Sequence, residues 1–466
     1  MSGLGLLVSI LSASALGTVI GFSSGLVPGL HMNNIAAAMT AYVGITVGFF
    51  GALCSFLGVS EASIAISCFI SAALVAHTFA ESITSTYIGI PAGDVVSVLP
   101  AHRLAKAGLG ADAVRASADG ALVGIVASTV VLFPICVVMS DPVHLYSMLK
   151  RVMVFIVIAF STVLVVSEGL PSLRLRPRPR DAFEKIVKGS AVFVVAGLLG
   201  TVVLKTSYFA CKIPDFPWVV HDFVPRSSLL LPLFAGLFGI SGLLLSLGSK
   251  AVTDMFGGLS GRSCHRPRLR EIATSLLGGA AVGWMPGLTS GSAVTLFSPA
   301  MRETRGMDDI DASIKFIWLY SAISSSGAVF AVGALFGIMR ARSGSMDAIS
   351  FFMDNGDELG PWSDNILQVS AILLSMAVAA LASYEFLVWF GSRFSGMRRF
   401  LCSKGLAIAS LVFVCSLTIA LTGIRGSILL MAATLLGLIP PLIGVRRILL
   451  MGSLLVPIIM TLLPSL

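Results

Sequence analysis

The sequence predicts an all-α polytopic membrane protein, two inverted-topology repeats with broken or re-entrant helices, of about 12–14 membrane segments. Three observations predict it. Of 466 residues, 56% are hydrophobic and only 12% charged, against about 25% charged in a soluble protein. Mean hydropathy is +0.96, and residues 1–60 hold no Asp, Glu, Lys or Arg. One pattern, G-x-x-x-G-x-x-P-G-L, is written twice inside apolar stretches, as Gly21-Phe-Ser-Ser-Gly25-Leu-Val-Pro28-Gly29-Leu30 and as Gly279-Ala-Ala-Val-Gly283-Trp-Met-Pro286-Gly287-Leu288.

Taken in order, apolar segments run over 4–30, 33–59, 62–90, 114–139, 149–168, 189–207 and 228–248, then 271–287, 289–300, 312–339, 366–392, 406–423, 426–444 and 447–465. The 289–300 segment is shorter than the roughly 20 residues a helical span needs, so it reads as the return arm of a re-entrant hairpin. Loop charges orient the chain. The basic stretches 171–188, 249–270 and 393–404 are expected in the cytoplasm, and the acidic 343–365 outside. The first motif then starts outside and the second inside, which inverts the two halves. The expected divisions are 1–170 (first transmembrane repeat), 171–188 (basic cytoplasmic linker), 189–248 (connecting helices), 249–270 (basic cytoplasmic loop) and 271–466 (second repeat). The expected location is the plasma membrane, multi-pass. A modest net charge of +8 that falls in loops gives no argument for nucleic acid.

Pro-Gly breaks a helix, because Pro lacks an N–H and Gly does not hold helical angles. In lipid such a break survives only where protein or a water-filled cavity covers it. Breaks at matching positions of two halves point to a binding site. Helix ends there present N–H groups and positive dipole ends to an anion. Gly25, Pro28, Gly29, Gly283, Pro286 and Gly287 form the breaks. His31, Asn33, Asn34, Thr289 and Ser290 add donors and acceptors, and His31 could also carry a proton. The glycines by themselves would equally serve as helix-packing seams.

A second polar region follows the third segment: Glu81, Ser82, Thr84 and Ser85, running to Ile90-Pro-Ala-Gly-Asp94. An intramembrane carboxylate is a functional hypothesis by default. Its counterpart in the second half is Ser321, Ser324, Ser325 and Ser326. These hydroxyls line a cavity or bond across a helix interface. The chain has no Walker A lysine motif, no G-x-S-x-G elbow and no H-E-x-x-H, so no enzyme is expected. No cofactor or metal is expected either, beyond Na+ or H+ as a coupling ion.

Three stretches, Gly21 to Asn34, Ser82 to His102-Arg103 and on to Gly120, and Gly279 to Pro299, resemble the membrane permease subunit of tripartite tricarboxylate transporters, the TctA family. The His and Asn after the first Pro-Gly are similar to its archaeal-type branch. The resemblance implies an ion-coupled secondary transporter of di- or tricarboxylate-like anions, working by an elevator-like mechanism. It also implies a small membrane subunit and an extracytoplasmic binding protein as partners. Beside these stand a small organic anion, membrane lipids and a homodimer. Two positions depart from the family: His31 stands where Gly is usual, and Ile90-Pro-Ala-Gly-Asp94 where I-P-G-T-P is usual. The same helix ends would also suit a lipid-carrier (polyprenyl-phosphate) translocase. A scaffold that transports nothing is the third reading.

Overall fold

Helix after helix is what a chain this apolar must form, because lipid offers no partner for an open backbone group. The computed structural model describes residues 3–27, 30–59, 61–87, 98–140, 142–169, 179–205, 229–247, 265–285, 287–297, 309–353, 360–393 and 404–463. Among the described residues no strand occurs. The first half holds α1 (Gly3–Gly25), α2 (Met32–Ala41), α3 (Val43–Phe56), α4 (Ala62–Tyr87), α5 (Val98–Lys106), α6 (Gly110–Met139), α7 (Leu145–Val166) and α8 (Pro179–Lys205). There follow α9 (Leu230–Phe234), a π-helical stretch (Ala235–Ile240) and α10 (Ser241–Leu247). The second half holds α11 (Leu269–Trp284), α12 (Ser290–Phe297), α13 (Asp309–Ile338), α14 (Gly344–Met353), α15 (Ile366–Arg393), α16 (Lys404–Ile443) and α17 (Gly452–Leu462).

Among the described residues, eight helices are long and apolar enough to cross a membrane, or nine if the bent pair α2–α3 is one span. Each apolar segment read from the sequence has a helical counterpart. Two segments break where periodicity gave no warning. The 33–59 run turns by 93° between α2 and α3. The Thr46 hydroxyl takes up the turn by donating to the Met39 carbonyl at 3.0 Å and the Tyr42 carbonyl at 3.2 Å. The π-helical stretch frees carbonyls that Arg447 collects: its Nη2 donates to Leu237 O at 3.0 Å, to Phe238 O at 2.9 Å and to the Ser241 hydroxyl. The gap between the runs 406–423 and 426–444 falls at Gly423, whose φ of 62° favours glycine.

Glycine spacing decides which helices touch. A Cβ on Gly21 would strike the Ala73 backbone, and one on Gly25 the His77 carbonyl, so α1 runs parallel to α4. Gly279 meets Ser326 and Gly283 meets Phe330, so α11 likewise runs parallel to α13. Gly120 and Gly124 of α6 meet Trp318 and Ala322 of α13, again in parallel. The start of α6, Gly110, abuts Tyr87 at the end of α4. Through these contacts α1 and α11, the two motif helices, run in opposite senses.

The apolar side chains gather into two main cores. One joins α1–α4 and α6 to α13–α15, with Trp284 of α11 inside it. The other joins α7, α8 and α9 to α16 and α17. Outside these cores α6, α8 and α16 keep exposed apolar side chains, including Val130, Leu198 and Ile419, that none of the described residues covers. Lipid tails suit such faces.

Candidate functional site

The two motif copies meet at one cavity of about 410 Å³ between the two cores. Its lining includes His31, Asn33, Asn34 and Ala37 at the start of α2, then Val282, Met285, Gly287, Leu288 and Thr289 from the end of α11 to the start of α12. Facing them across the cavity are Leu230, Leu231, Phe234, Ala235 and Phe238, with Met451, Leu454 and Ile458. The turn between α13 and α14, Ala341 to Gly344, closes one side.

Local chemistry explains each motif end. His31 Nδ1 accepts from the Asn33 N–H at 3.2 Å and so caps α2. The Asn33 amide oxygen accepts from Ser345 N at 3.0 Å and Ser345 Oγ at 2.9 Å, which ties α2 to α14. At the second copy Gly287 has φ 77°, a left-handed conformation open to glycine at no steric cost. Thr289 and Ser292 then cap α12 reciprocally: their hydroxyls lie 2.6 Å apart and each accepts from the other's N–H at 3.3 Å. Both helix N-termini therefore border the cavity with their dipole-positive ends.

Arg342 is the cation of this cavity. Its Nη2 donates to the Tyr146 hydroxyl, on α7 in the other group, at 2.7 Å. Its Nε is buried without a hydrogen-bond partner, and among the described residues no carboxylate pairs with it. A guanidinium presents a fork that fits a carboxylate.

The expected site residues thus fall into separate places. His31, Asn33, Asn34, Gly287 and Thr289 line the cavity, and Ser290 follows at the first position of α12. Gly25 and Gly283 lie on helix seams. Glu81, Ser82, Ser85 and Ser324 line a second, small polar cavity of about 30 Å³, with Ser117 and Ser321 joined hydroxyl to hydroxyl at 2.7 Å. Thr84 bonds the carbonyls of Glu81 and Gly25, and Ser325 bonds that of Ala322. Pro28, Gly29, Pro286 and Ile90 to Asp94 lie outside the described residues, as do 171–178 of the loop 171–188 and 249–264 of the loop 249–270. Among the described residues no group of three or more His, Cys, Asp or Glu is placed to hold a metal.

Sequence reasoning missed Arg342, Tyr146 and the apolar wall. One signal was present. Arg340 and Arg342 end a span on the side assigned to the outside, against the positive-inside trend. It also missed His77, buried beside His31 with ring centroids 5.4 Å apart and held by the Ser24 hydroxyl at 2.8 Å.

A many-helix membrane protein with a polar-ended cavity between two packed groups has the make-up of a multi-pass permease. The Tripartite tricarboxylate transporter TctA family matches residues 11–452, and the chain belongs to that family. It is also 31% identical over 147 residues to an uncharacterized protein, MJ1079, of Methanocaldococcus jannaschii. That match covers 31% of this chain and 33% of the other, so the chain spans about a third of the curated relative's length. No solved structure matches the chain.

Proposed function

We propose that this chain is the permease component of an ion-coupled secondary transporter for a small organic anion in the plasma membrane. In this reading the anion sits in the large cavity. It meets Arg342, Asn34, Thr289 and the N-terminal ends of α2 and α12. The convergence of both motif copies and an acid-free arginine on one cavity carries the reading. The cavity's place between two packed groups favours elevator-like alternating access, with α1–α6 and α11–α15 moving against α7–α10 and α16–α17. The opposite senses of α1 and α11 support two inverted repeats. Glu81, Ser82, Ser85 and Ser324 are the proposed seat of the coupling ion, Na+ or H+. A small membrane subunit and an extracytoplasmic binding protein would deliver the anion, as the tripartite family description suggests.

Ligand binding to the folded state raises its apparent stability by mass action. Purified protein is therefore heated with carboxylates, each with and without Na+ and at two pH values. A rise in Tm that needs Na+ or low pH is expected. No rise with any carboxylate, under any of these conditions, would sink the reading.

A further inference from the structure

The walls of the large cavity say what kind of anion fits. Arg342 is the only fully charged side chain among the described residues that line it. His31 adds no charge here, because its Nδ1 holds a lone pair toward the Asn33 N–H. The two helix ends each contribute roughly half a positive charge. The positive charge that the described lining residues and the two helix ends turn to the cavity is thus about two units, and the opposite wall answers with hydrocarbon: Leu230, Leu231, Phe234, Phe238, Leu454 and Ile458. A tricarboxylate trianion would leave at least one carboxylate against that wall without a partner, and an unpaired buried charge is strongly disfavoured. Among the described residues no Asp or Glu lines the cavity, so the ammonium of an amino acid finds no carboxylate partner on these walls. Its volume of about 410 Å³ lies in the range of small-molecule pockets, about 300–1,000 Å³.

We infer that the substrate is a monocarboxylate with an apolar body, its carboxylate on Arg342 and its hydrocarbon on the Leu230–Phe238 wall. This rests on the proposed transport reading and narrows its substrate. It also sets this chain apart from the tricarboxylates in its family's description.

The test compares half-maximal stabilising concentrations of phenylacetate, 4-methylpentanoate, leucine, succinate and citrate on the full chain in detergent. Phenylacetate and 4-methylpentanoate are expected to act at concentrations at least tenfold below citrate and leucine. Arg342→Gln is expected to weaken both by tenfold or more. Phe238→Ser is expected to weaken them while leaving the weak citrate response within threefold. The melting curve of each variant without ligand reports that it is folded, and Arg342→Lys serves if Arg342→Gln does not fold. Citrate acting at or below the concentration of phenylacetate would overturn the inference and leave the transporter reading standing. A response to none of the carboxylates would overturn both.

Discussion

The two copies of the motif share a backbone plan and differ in what they do with it. In each, a pair of glycines four apart seats a helix on its neighbour: Gly21 and Gly25 on Ala73 and His77, Gly279 and Gly283 on Ser326 and Phe330. In each, the following break ends at a helix whose N-terminus borders the cavity. After the break they part. The first copy spends Asn33 on a tie to α14 and so steadies the turn that carries Arg342. The second copy closes on itself, with Thr289 and Ser292 capping one another. The backbone pattern builds the place. The side chains divide positioning from binding, and only the first copy reaches out to the neighbouring arginine turn.

The largest effect should come from the part the copies share. Gly21→Val and Gly279→Val place atoms against backbone or a packed seam, and overpacking costs about 1–3 kcal/mol or more. Both variants should melt well below wild type, whereas Gly44→Val, where a Cβ meets nothing within 4 Å, should not. Equal melting of all three would break the claim that the glycines are seams. Next comes the difference. Asn33→Ala leaves the Ser345 N–H and hydroxyl without their partner, worth about 1–3 kcal/mol, so stability and anion binding should fall together. Asn34→Ala and Ser290→Ala should lower transport while the melting temperature holds. A variant of this second kind that melts early belongs with Asn33 instead. The smallest effect should be Tyr146→Phe, which removes one hydrogen bond to Arg342, about 1 kcal/mol, and should change the apparent anion affinity by less than tenfold in a thermal-shift titration.

The helical segments were legible because apolar runs of span length announce themselves. So was the doubled break, because Pro and Gly act locally. His31, Asn33, Asn34 and Thr289, expected there from their position beside it, line the cavity. Arg342 was hidden, since its meaning depends on a turn that folds back over α2, more than 300 residues away in the chain. The bend at Tyr42 was hidden too: an unbroken apolar run has no signal for it, and the bonds from the Thr46 hydroxyl back to the Met39 and Tyr42 carbonyls form only once the chain has bent. The split of Gly25 and Gly283 from the cavity shows the limit of motif reasoning. A conspicuous glycine sits where backbones touch, one turn away from where a ligand would be.

The most direct test asks whether both copies face one ligand. Asn34→Cys and Thr289→Cys are made separately in a background whose native cysteines are replaced, and the rate of thiol alkylation is followed as phenylacetate is added. The two rates should fall over the same concentration range. If phenylacetate stabilises the protein but slows alkylation at only one position, or at neither, the two copies do not form one substrate site.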